Sequence, residues 1–288
     1  MKKILFISLI AVLLINMTFA GELSGSFAPV INNARAGALG EAFITVTDDF
    51  SSIYYNPAGL SYIESPNLGF NYLYIPAGFI SVESLGGATK LGSISVGAGV
   101  EIKSITNAEE LSFPFSENSI KLSLAKEVIP KLRVGLSTSL YLATLDTGSA
   151  TGFGIDVGTI YEINEKIKVG AVWYDPISSI EWSTGTIESS SRQDLLLGVS
   201  ANLNAGNIPV TLAFDVSLYD KPYFYNRLHF GAEVNPLPLL SVRVGYNGDK
   251  ETLSLGFGAK VNFIKLDYAF LYTKALSNQH IITISASF

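Results

Sequence analysis

From Asn67 to Phe288 apolar residues recur at every second position, the period of a β-strand whose successive side chains point to opposite faces. Val210, Leu212, Phe214, Val216 and Leu218 share one face; Thr211, Ala213, Asp215, Ser217 and Tyr219 share the other. Leu253, Leu255, Phe257, Ala259, Val261 and Phe263 alternate in the same way with Ser254, Gly256, Gly258, Lys260 and Asn262. The alternation predicts fourteen strands, near 66–74, 78–85, 92–105, 117–127, 130–144, 151–163 and 165–176, then 192–203, 207–219, 224–236, 238–248, 251–262, 264–273 and 278–288. Many are longer than the roughly 5–6 residues usual in soluble proteins. They match the roughly 9–11 residues that a tilted strand needs to cross a bilayer.

The second face separates a membrane barrel from a soluble sandwich. A sandwich would present charged and long polar residues to water. Here that face is mostly Gly, Ser, Ala, Asn and Thr, with isolated charges such as Glu101, Lys121, Asp156, Lys168, Asp194, Asp215, Glu233 and Asp267. Small polar residues suit the inside of a barrel whose outside meets lipid. The connections agree. Links after even-numbered strands are short, as at Val128–Pro130, Asn164–Glu165, Asn235–Pro238 and Asn262–Phe263. The two longest links, near 105–117 and 177–191, both follow odd strands. Short inner turns and longer outer loops are the topology of outer-membrane barrels. The expected fold is therefore all-β, a 14-stranded antiparallel transmembrane β-barrel, with outer-membrane lipid as its surroundings.

Composition narrows the choice further. The chain has 288 residues, 48% hydrophobic and only 15% charged, and a mean hydropathy of +0.34. Beyond the N-terminus no apolar run reaches the roughly 20 residues of a membrane helix. At the N-terminus, Lys2 and Lys3, the apolar run Ile4–Ile15 and Thr18-Phe19-Ala20 predict a signal peptide over 1–20. Its removal would take Lys2 and Lys3 away and carry the formal net charge from −6 to −8. That acidity, without a basic stripe, excludes nucleic acid as the expected partner. With no Cys there is neither a disulfide framework nor a thiolate metal site.

Residues 21–65 do not alternate, and they hold the most distinctive stretch. Arg35, Gly37 and Gly40 lie in a small-residue run, Ala34-Arg-Ala-Gly-Ala-Leu-Gly40. Asp48 and Asp49 follow, one of them expected to cap a short helix, and then Asn56-Pro57-Ala58-Gly59-Leu60 turns the chain into the first strand. This stretch resembles the N-terminal hatch of the FadL-type outer-membrane transporters and of the related PorV/PorQ family, with Gly59 and Leu60 nearer the PorV/PorQ form. Val169–Trp182 is similar to a long FadL-type strand that extends beyond the barrel wall. The resemblance implies that 21–65 plugs the lumen and that 66–288 forms the barrel. Arg133, Arg227 and Arg243 are then candidate partners for Asp48 and Asp49, and Glu101, Glu162 or Glu233 for Arg35.

For function the resemblance implies passive uptake of small hydrophobic or amphipathic compounds, released through a gap beside a kinked strand. Gly97 and Gly99 in the third strand would permit such a bend, although the simpler expectation is that they line a crowded lumen. The alternative it implies is a barrel that binds a partner in a protein-secretion system. The terminal Phe288, closing an alternating strand, resembles the signal read by the barrel-assembly machinery. Tyr72, Tyr74, Trp173, Trp182, Tyr223, Tyr225 and Tyr272 fall near expected outer strand ends, as an aromatic girdle would, with Phe263 and Phe288 at the inner rim. No catalytic residue or cofactor is expected. His229 and His280 are the only histidines, no Ser-His-carboxylate spacing accompanies them, and Gly37–Gly40 lacks the Lys of a phosphate loop.

Overall fold

The computed structural model describes residues 27–76, 80–105, 115–145, 148–190, 192–218, 227–273 and 278–288. The expected signal peptide, the 106–114 link, Tyr223 and Tyr225 lie outside these residues. The strands are β1 Asn67–Ile75, β2 Ile80–Leu91, β3 Ile94–Ile105, β4 Phe115–Ile129, β5 Leu132–Leu145, β6 Gly148–Glu162, β7 Ile167–Trp182, β8 Ile187–Glu188, β9 Asp194–Ala205, β10 Ile208–Ser217, β11 Leu228–Leu237, β12 Leu240–Asn247, β13 Thr252–Val261, β14 Ile264–Thr273 and β15 Gln279–Ser287. Every pairing is antiparallel, and each wall strand bonds to its neighbours in sequence. β1 pairs with β15 from Asn67↔Ser287 to Tyr74↔His280, which closes the sheet and leaves no edge. Fourteen strands make the wall. The fifteenth, β8, is a two-residue strand that pairs only with the top of β7.

The alternation places apolar side chains outside. Leu85, Leu122, Leu136, Phe153, Leu212, Phe230, Val244, Leu255 and Phe257 are all exposed, while their neighbours Ser84, Ser123, Ser137, Asp215, Arg243 and Ser254 are buried in the lumen. Such an exterior is stable only against hydrocarbon. Two strands depart from the expected bounds. β2 runs on to Leu91, because Gly86 and Gly87 continue the ladder where they had broken the apolar pattern. The 177–191 link is shorter than expected because β7 continues to Trp182. Trp182 is also no part of a girdle: its indole N–H donates to Glu188, 2.8 Å away, and its ring packs on a buried cluster of Phe27, Tyr141, Ala143, Ala150 and Ile180.

Residues 27–63 lie inside the wall and are almost wholly buried. A short helix, Ala34–Ala38, is capped by Asn33, whose side chain accepts from the N–H groups of Arg35 and Ala36. It packs on β12–β15. Asp49 caps a 3-10 turn over Phe50–Ile53, and Asn56 caps another over Pro57–Tyr62, with Pro57 in its first turn. The sheet leaves room by lacking side chains where this segment touches it. A Cβ on Gly245 would stand 2.1 Å from the Gly40 nitrogen, and one on Gly135 2.3 Å from the Ala58 nitrogen. Gly40 itself has φ +63, a conformation that costs side-chain-bearing residues energy.

Candidate functional site

The inward charges and the enclosed segment form three linked layers. Near the inner end, Arg35 reaches Glu233 through Nε (2.9 Å) and Asp48 through Nη1 (2.8 Å). Arg243 joins the same carboxylate at 2.5 Å and Asp267 at 2.8 Å. Of the three glutamates considered for Arg35, Glu233 is the one beside it. Asp48, in contrast to the expectation of a wall arginine, is held by Arg35 from its own segment. Asp49 accepts from the Ser51 N–H at 2.9 Å as a helix cap. Arg133 turns to Glu162 and Glu127 and covers the Tyr62 ring at 4.1 Å, with the Lys168 ammonium 3.9 Å from the same ring. Arg227 immediately precedes β11, at its outer end.

In the middle layer the wall satisfies backbone groups that the irregular segment leaves open. Asp215 Oδ2 accepts from the N–H groups of Phe43 (2.7 Å) and Ile44 (3.1 Å). Asn56 donates to the carbonyls of Ile44 (2.9 Å) and Thr159 (3.3 Å) while its Oδ1 accepts from the Ala58 N–H. Pro57, Ala58 and Gly59 are buried behind it, against β4–β6. Gly59 lies on Thr47 and Gly37 on Ile281. Glu101 Oε2 accepts from the Asn32 side chain at 2.7 Å. His229 Nδ1 lies 3.1 Å from the Gly40 carbonyl, which can only accept, so His229 serves the backbone of the enclosed segment.

Above these layers, toward the outer end, lies a cavity of about 100 Å³. Phe27, Tyr54, Tyr55, Tyr141 and Tyr174 give it an aromatic lining, and Lys121 and Arg192 stand at its side. The phenols are tied down: Tyr54 Oη lies 2.9 Å from the carbonyls of Leu85 and Val100, Tyr141 donates to Asp175 Oδ2 at 2.5 Å, and Tyr174 donates to the Tyr55 carbonyl. Asp156 binds Lys121 at 2.7 Å and grips Arg192 with both oxygens, at 2.8 and 3.0 Å. The aromatic residues and Arg192 were not singled out by the sequence. Tyr141 and Tyr174 stand on the inward face of β5 and β7, and nothing in the alternation marks Arg192, which precedes β9.

Gly97 and Gly99 make no bend and line the crowded lumen instead. β3 pairs without interruption on both sides, and the two glycines accommodate Ile53 and the Tyr54 hydroxyl. Where the wall does kink is β7. There one residue of β6, Asp156, faces three residues of β7, Tyr174, Asp175 and Pro176. Pro176 has no N–H to give the ladder, and Asp175 takes φ 46, a left-handed conformation that Asp tolerates better than most residues.

No family model matches the chain, and neither does any curated protein. Solved structures do. The P. putida toluene transporter TodX superposes with a TM-score of 0.65 at 11% identity, over 89% of this chain and 98% of that one. The Ralstonia pickettii toluene transporter TbuX gives 0.64 at 14% identity, over 89% and 98%. The monoaromatic hydrocarbon channel CymD gives 0.61 at 15%, over 93% and 99%. At such identities the likeness is one of fold, and the fold is that of the FadL-like outer-membrane β-barrels.

Proposed function

We propose that the protein is a non-enzymatic channel of the outer membrane for passive uptake of small hydrophobic or amphipathic compounds. The observation that carries this reading is the aromatic cavity held inside a lipid-facing barrel, above a segment that fills the lumen below it. Aromatic faces bind apolar molecules without demanding a particular hydrogen-bond pattern, which suits a channel with many related cargoes. Among the described residues its lining comes from the wall strands, from residues 27–55, and from Arg192, Asp249 and Lys250 at the strand ends. In this reading residues 21–65 act as the hatch, Arg35, Asp48 and Glu233 fasten it, and Phe288, which is exposed beside Phe263, is offered to the assembly machinery. The toluene transport of the structural neighbours supports the same class of cargo. The secretion-partner alternative draws no support from the comparisons.

Proteoliposomes test it directly. Labelled toluene should enter vesicles holding the intact protein faster than empty vesicles, while a hydrophilic sugar of similar size should not. Equal toluene rates with and without protein would overturn the reading.

A further inference from the structure

The aromatic cavity holds a carboxylate whose neighbouring bases are all engaged elsewhere. Glu101 lines the cavity from β3, where it sits opposite Ser84 of β2 and Ser119 of β4. Among the described residues its one hydrogen-bond partner is the neutral Asn32 side chain, which donates to Oε2 at 2.7 Å. The bases nearest along the ladder are already taken. Lys103, two positions on in β3, is held by Glu117 at 2.7 Å and by the Ala28 carbonyl at 3.2 Å. Lys121, opposite Gly99, is held by Asp156 at 2.7 Å. Of the other bases on the lining, Arg192 is gripped by the same Asp156, and Lys250 is bound by Glu41 at 2.7 Å.

Glu101 also stands beside two aromatic side chains. Asn32, which donates to its carboxylate, gives its backbone N–H to the Tyr55 hydroxyl at 3.0 Å. Tyr54 Oη lies 2.9 Å from the carbonyl of Val100, the residue before Glu101. A half-buried carboxylate is costly unless an opposite charge compensates it. Asn32 supplies one donor, whereas a carboxylate accepts at about four sites. An ammonium group supplies further donors and neutralises the charge in the same contact. Aromatic faces carry negative charge density and attract the same group. An anionic ligand would instead meet Glu101 at close range, with Lys121, Arg192 and Lys250 already bonded to acids.

We propose that Glu101 makes the cavity selective for cationic amphiphiles, each a protonated amine on a small apolar or aromatic body. The ammonium group binds the Glu101 carboxylate, and the body lies among the tyrosines. The proposal rests on the uptake reading for the cavity as a cargo site. Within that cargo it ranks organic ammonium ions above neutral compounds of the same shape.

Three probes of similar size separate charge from shape: benzylamine, a cation near neutral pH, neutral benzyl alcohol and anionic benzoate. Equilibrium dialysis against the intact barrel in nanodiscs of zwitterionic phosphatidylcholine, with empty nanodiscs as background, measures their binding. Benzylamine should bind about tenfold tighter than benzyl alcohol, the gain of a charge-assisted hydrogen bond over a neutral one. Benzoate should bind more weakly than either. Glu101→Gln keeps an oxygen to accept from Asn32 and removes the charge, and heat-modifiable gel mobility checks that the barrel is folded. In this variant benzylamine should fall to the level of benzyl alcohol, whose own affinity should not change. Glu101→Asp, which keeps the charge on a shorter arm, should retain the preference. Equal binding of benzylamine and benzyl alcohol by the parent, or a preference that survives in Glu101→Gln, would overturn the proposal and leave the cavity a cargo site. A preference that depends on Glu101, with no flux of any probe into proteoliposomes, would uphold the site and sink the uptake reading. If no probe binds, both fall.

Discussion

Glu233 shows how single residues hold the enclosed segment. Its carboxylate serves Arg35 from that segment and Arg243 from the wall, and all three side chains are nearly free of solvent. Replacing one member of such a group leaves a buried charge unmatched, at a cost of about 3–5 kcal/mol. Glu233→Gln should therefore lower the temperature at which the heat-modifiable gel shift occurs, and Asp48→Asn, whose carboxylate is half exposed, should lower it far less. Gly245→Ala should act as strongly by a different cause, since its Cβ would enter the Gly40 backbone; an unchanged melting temperature would show that the segment yields there. A third contact responds to acid. Burial pushes the Glu41 carboxyl up, but Lys250 at 2.7 Å, His229 and the Asn247 side chain outweigh it and hold it below the ordinary value of 4.5. A lowered folded value contributes stability above the unfolded value and loses it as pH falls. Protease sensitivity of the β12–β13 turn should accordingly rise in the native protein as the pH falls below the ordinary value of 4.5. In Glu41→Gln it should already be high at neutral pH.

Each strand has two faces in two solvents, and that is why so much of the wall was legible. A period of two survives wherever one side of a residue meets lipid and the other meets a packed lumen. Leu255→Arg, near the middle of β13, should destabilise the barrel in lipid vesicles by about 2–4 kcal/mol, whereas Ile264→Arg, at the inner rim, should cost about 0–1. Equal costs would mean that the exterior does not sit in hydrocarbon as its alternation implies. The same logic explains the errors. Trp173 and Trp182 are nine positions apart, an odd step, so only one of them can face lipid; position along the strand hid what parity already contained. The lumen-lining glycines of β3 are vacancies left for Ile53 and Tyr54, and a vacancy's occupant cannot be named from the strand alone. Ion pairs were harder still. Arg35 and Glu233 are separated by 198 positions, and three acids of the right sign were available.

Over the whole molecule the lumen is occupied rather than open. Among the described residues, the segment from Phe27 to Ile63 touches β4–β6 at one side and β12–β15 at the other, and most of its side chains are buried between them. Planar bilayers containing the intact protein in molar KCl should therefore show no steady conductance, and a steady current would mean that ions find a route past the enclosed segment. The seam of the ring adds a constraint on time as well as on space. Asn67 meets Ser287, and the Phe288 N–H bonds the Pro66 carbonyl, so the first wall strand can be satisfied only by the last one made. Contacts so distant in sequence form slowly. The inner segment is translated before any of the wall, and it packs against strands from both halves of the ring. It must be waiting in place when the clasp shuts, so the wall is cast around its own contents and the glycines of the lumen are the impression left in the casting.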